Sequence, residues 1–92
     1  MNIVLQMDGV KEYVKEQIER SFNSEIVSDE EKIELLNLID KQAFLRAKSI
    51  LEEAAKRATA LNQDHLIDTF ENLYKKLNWL QLNYSGGAAR NH

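Results

Sequence analysis

Proline is absent from this 92-residue chain, and two of its three glycines stand side by side at Gly86 and Gly87. Tight turns draw on those two residue types, so a chain this poor in them has little means of reversing direction often. Long helices are the expected outcome. Because 43% of the residues are apolar and 29% charged, the chain carries the surface a globular core needs, unlike a polar disordered tract. Its length makes one domain, near the size at which a single core leaves only a few kcal/mol of net stability. A self-association surface is therefore also expected.

In the first segment Ile3, Met7, Val10, Val14, Ile18 and Phe22 recur at steps of three and four, one stripe of a helix. Asp8-Gly9 interrupts the pattern, which suggests a short extended piece from Asn2 to Met7 and a helix capped by Asp8 that runs to about Phe22. Asn23 to Val27 reads as a connection. Ser28-Asp29-Glu30-Glu31 then has the capping-box form, in which the serine hydroxyl accepts from the Glu31 amide and the Glu31 carboxylate reaches back.

From Asp29 to about Leu61 nothing forbids a helix, and the run is rich in Ala, Leu, Glu and Lys. A single rod of that length would extend ~50 Å. Leu36, Ala43, Ala47, Ala54, Ala58 and Leu61 share one face of it, with Ile33, Ile50 and Leu51 at the edges. Asp40 falls on that face, where a carboxylate is costly to bury without a partner, so the run equally permits a break with Asp40 as N-cap. Leu35, Leu38, Ile39 and Leu45 point away from it and need cover on other sides.

Asn62-Gln63-Asp64 is a polar connector that ends one helix and caps the next, so two helices are expected to fold back antiparallel. The last helix, about Asp64 to Asn83, aligns Leu66, Phe70, Leu73, Tyr74, Leu77, Leu80 and Tyr84. Large residues against an alanine strip fill the space at a close crossing. Residues 85–92 lack periodicity and read as a flexible C-terminal tail to a single helical domain over residues 1–84. The expected fold is an all-α bundle of three to four helices built on that hairpin, dimeric through the apolar surplus around Leu35 to Leu45.

Chemistry is scarce. Without cysteine there is no disulfide framework, thiolate zinc site or cysteine nucleophile, which suits a reducing compartment such as the cytoplasm. The N-terminus lacks a signal-peptide pattern and Met1 reads as a native start; no apolar run is long enough to span a membrane. His65, with Asp64 beside it and Asp68 one turn on, is a two-carboxylate stub that reads better as a solvated first-turn cluster than as a metal site. No nucleophile motif or phosphate loop occurs, and Gly86-Gly87 has neither the lysine nor the helix such a loop requires. Neither an enzyme nor a cofactor is expected.

Net charge is −3, so nothing global draws the chain to phosphate. Lys41, Lys48 and Lys56 fall on one side of the long helix, however, and Arg46 and Arg57 on another, which makes a nucleic-acid-associated regulator the alternative function. Glu52 and Glu53 stand one turn before Lys56 and Arg57, the spacing of intrahelical pairs on a solvated face. The spacing Ala47, Leu51, Ala54 occurs in tetratricopeptide units, but the first-helix positions of that motif are unmet and no second unit follows. Trp79 is the most informative residue. It lies opposite the apolar stripe of the last helix, so either the first helix packs over it or, with Leu82, it meets another chain. The function expected is a non-catalytic protein-protein interaction module, with Trp79, Leu82, Leu35, Leu38 and Leu45 as its contact residues.

Overall fold

The computed structural model describes the backbone of residues 3–90 and the side chains of residues 6–84. Four helices follow one another: α1 (Ile3–Ser21), α2 (Asp29–Asp40), α3 (Phe44–Ala60) and α4 (Ile67–Arg90), the last entered through a 3₁₀ turn at Asp64–Leu66. No strand occurs among the described residues. The backbone of residues 85–90 continues α4, while the side chains of residues 85–92, the segment read as a tail, lie outside the described set.

Helix α1 differs from expectation. It runs unbroken through Asp8-Gly9, where an extended piece and a new cap were anticipated, because the apolar stripe Met7, Val10, Val14, Ile18 continues across the glycine and packs into the core. A buried stripe outweighs the roughly 1 kcal/mol that glycine costs inside a helix. The chain then turns at Asn23, whose side-chain oxygen accepts from the amides of Glu25 and Ile26 at 3.0 and 3.2 Å. That turn is more than a connection. It drives Ile26 and Val27 fully into the core, and Phe22 beside them stacks on Phe70 with ring centroids 4.6 Å apart.

Ser28 opens α2 with both halves of its capping box, the Glu31 amide on its Oγ at 3.2 Å and its own amide on Glu31 Oε1 at 3.0 Å. The long run from Asp29 is broken, as one of the two readings allowed, but Asp40 is not the cap. It ends α2, is exposed, and accepts from Lys15 of α1 at 2.8 Å. The break itself is a Schellman closure: the Gln42 amide donates to Ile39 and the Ala43 amide to Leu38, with Gln42 at φ 64°. Helix α3 ends the same way, with Asn62 at φ 59° and the amides of Asn62 and Gln63 on the carbonyls of Thr59 and Ala58. Glycine usually takes that left-handed position; here a glutamine and an asparagine do.

Each helix packs on its neighbours in the chain, and α4 closes the ring on α1, the α3–α4 seam being the most extensive. The molecule measures 46 × 22 × 19 Å, two helix diameters across each short axis, so every helix keeps one face in water. Inside, Phe44, Ala47, Leu51, Ala54 and Ala58 of α3 and Phe70, Leu73, Leu77 and Leu80 of α4 are buried. Alanines on α3 let the bulky residues of α4 come close, and the Tyr74 hydroxyl reaches across to the Leu51 carbonyl at 3.3 Å. Desolvation in that position raises the Tyr74 pKa.

Candidate binding groove

Helix α4 presents a second flank, toward α1, and there the packing stays open. Val10 and Tyr13 on α1 face Asn72, Lys76 and Trp79 on α4 across a groove of about 720 Å³, with Gln6 and Gly9 along its α1 lip. Lys75 borders the same trough beside Val10 and Trp79. The lower end is tied by Asn72, which donates to the Tyr13 hydroxyl at 3.1 Å, and the Lys76 ammonium sits 5.1 Å from the centre of the Tyr13 ring. Trp79 is half-buried, resting on the core with one side toward the groove, and Asn83 donates to its carbonyl at 2.8 Å.

The contact residues expected from sequence separate on the fold. Trp79 and Leu82 stand one turn apart on α4, and Leu82 is 71% exposed. Leu45 is 57% exposed, beside Ile50 in a smaller depression rimmed by Glu34, Arg46 and Glu53. Leu38 is half-buried. Leu35 is wholly inside, because α1 and α3 cover α2 on two sides and take it into the core with Ile39. A contact role for Leu35 is thus corrected to a core role.

The cations of α3 are mostly engaged. Arg57 makes a two-pronged bond to Glu31 of α2, Nη1 to Oε1 at 3.0 Å and Nη2 to Oε2 at 2.7 Å, in place of the expected pairing with Glu53. That hydrogen bond, aided by the Ser28 amide, holds the Glu31 carboxyl below its ordinary pKa and raises that of Arg57. The buried Arg57 Nε has no hydrogen-bond partner among the described residues. Lys56 pairs with Glu53 at 3.4 Å, rather than with Glu52, and Lys48 donates to Asn78 of α4 at 3.2 Å. Lys41 is exposed at the α2–α3 turn.

His65 is exposed in the 3₁₀ turn, and no group of three or more His, Cys, Asp or Glu side chains gathers among the described residues. No helix there is long and apolar enough to cross a membrane. No protein-family model, curated protein or solved structure matches this chain.

The sequence marked Trp79 as lying off the core stripe but did not assemble the rest of the groove. Val10 belongs to the core stripe, Tyr13 falls between stripe and solvent, and Lys75 and Lys76 look like any polar face. Only the approach of α1 to α4 brings them together, and residues about sixty positions apart leave no local signal of it.

Proposed function

We propose that this protein is a non-catalytic binding module that captures another protein chain, as an adaptor, inhibitor, immunity or chaperone-like factor, or as an assembly subunit. One observation carries the reading: the only tryptophan of the chain lies half-buried in an open groove with Val10 and Tyr13, at the edge of the core rather than among its fully buried residues. Tryptophan and tyrosine in such a setting bring large contact area at low entropic cost, the character of binding hot spots. Leu82 extends the apolar surface by a turn.

Finer parts of the reading go with it. Helices α3 and α4 form an antiparallel hairpin, supported by the meeting of Lys48 with Asn78 and of Leu51 with Tyr74, one partner number rising as the other falls. A homodimer uses a different part of the surface, where Leu45 is bare and Leu38 half-covered. The cytoplasm suits a chain without cysteine. The alternative, a nucleic-acid regulator acting through Lys41, Lys48, Lys56 and Arg57, draws less support because three of the four already have partners.

Affinity capture from native extract, run in parallel with Trp79→Ala and Leu82→Ser, tests the function. One stoichiometric partner, lost with both variants while their helical content is retained, is the result expected; a partner retained by both overturns the assignment of this face. Sedimentation at tens of micromolar tests the dimer, which Leu45→Glu should dissociate.

A further inference from the structure

The groove between α1 and α4 has a charge and a shape that narrow its occupant, and we infer that it takes an acidic helical segment of a different protein. This rests on the binding reading above. The chain as a whole is acidic, with 15 carboxylate residues against 12 basic ones, yet among the described residues the groove is lined by lysines and by no carboxylate. Among the described residues Lys75 and Lys76 have no carboxylate within ion-pair distance, although five ion pairs occur elsewhere on the surface. Two ammonium groups beside Trp79 and Val10 suit a segment that sets acidic side chains around an apolar anchor.

Gly9 points the same way. It sits mid-helix, where glycine costs stability, and a Cβ added there would meet nothing within 4 Å among the described residues, so their packing does not call for it. Its bare backbone lies on the groove lip and allows another main chain to approach closely. A second copy of this protein is the poorer occupant. Two-fold pairing through the groove would bring Lys75 and Lys76 of both copies into one interface, and docking of the groove on another face of a copy is heterologous, which leads to rings or filaments rather than to a closed dimer.

Selection from a phage-displayed library of random peptides, roughly 16 residues or about four helical turns long, tests the inference on the full-length protein. Winners should carry Asp or Glu around one or two large apolar residues. Their affinity should fall on the order of tenfold or more with Lys75→Glu plus Lys76→Glu, and as strongly with Gly9→Leu, which fills the lip. Gly9→Leu removes a helix-weakening glycine, so a melting temperature at or above that of the parent separates a blocked groove from a damaged fold. Winners without acidic bias, or indifferent to the lysine reversals, would overturn the inference while leaving the groove a docking site, provided Trp79→Ala abolishes them. Winners untouched by Trp79→Ala and Gly9→Leu would overturn both the inference and the choice of this face. A dimer in sedimentation that Gly9→Leu alone dissociates would assign the groove to a second copy and overturn the acidic partner.

Discussion

Helix α4 has two flanks, and they are finished differently. On its core side, toward α3 and the Phe22 ring, it sets Phe70, Leu73, Leu77 and Leu80 with Ala47, Ala54 and Ala58, and every one of those side chains is out of water. Toward α1 it sets Trp79, Lys76 and Asn72 opposite Tyr13, Val10 and Gly9, and a trough remains. Large against small closes a seam, whereas the flank that pairs large residues and carries a glycine in place of a side chain leaves one open. One helix thus supplies the cohesion of the fold on one side and an unfinished interface on the other.

The sharpest way to break that contrast is to empty the closed seam. Phe70→Ala removes a buried ring that stacks on Phe22 and should cost about 3–5 kcal/mol, read by urea denaturation, enough to leave a domain of this size barely folded. Overfilling comes next: Ala54→Leu should cost about 1–3 kcal/mol, since a fully buried alanine leaves no space for three more carbons. Trp79→Ala on the open flank should cost less than Phe70→Ala, about 1–2 kcal/mol, because the ring is only partly buried, while partner capture is lost. Equal losses of stability from Phe70→Ala and Trp79→Ala would dissolve the distinction between the flanks.

Two smaller changes act away from α4 and supply a baseline. Gln42→Gly relieves a non-glycine residue at φ 64° and should raise stability by about 0.5–1 kcal/mol. Glu31, its pKa lowered by Arg57, lends stability that is complete above the ordinary carboxylate pKa of about 4.3 and is lost as pH falls through the lowered value. Acid melting should therefore steepen below about pH 4. Glu31→Gln should cost about 0.5–1 kcal/mol at neutral pH and flatten part of that slope, with the remainder owed to Asp40, whose pKa Lys15 lowers in the same sense.

Much of the architecture was readable from the chain because its signals are local. Ser28 and Glu31 stand three apart, Asn62 is a residue that tolerates the left-handed region, and the stripe Phe70, Leu73, Leu77, Leu80 repeats at helical spacing. Where the reading failed, a tertiary contact had overruled a local cue. Asp8-Gly9 resembles a helix start, but the apolar residues on both sides are held in one stripe by the core. Gln42 in a left-handed turn carries no signal of its own, and Ile26 and Val27 look like linker until the turn at Asn23 points them inward. The Glu31–Arg57 bond joins residues 26 positions apart, and Leu35 turned from surface to core for a comparable reason: its cover comes from α1 and α3. The groove was the least legible part, since only Trp79 announced it.

The siting of Trp79 also decides what light can report. With no second indole in the chain, tryptophan emission, excited at wavelengths where tyrosine does not absorb, samples the trough and not the Phe70 layer. An optical titration would therefore register an arriving ligand directly, with no dye attached. Thermal unfolding followed at the same wavelength would report the contact of α1 with α4, so coincidence of that trace with the helical dichroism would mark one cooperative transition and a mismatch two.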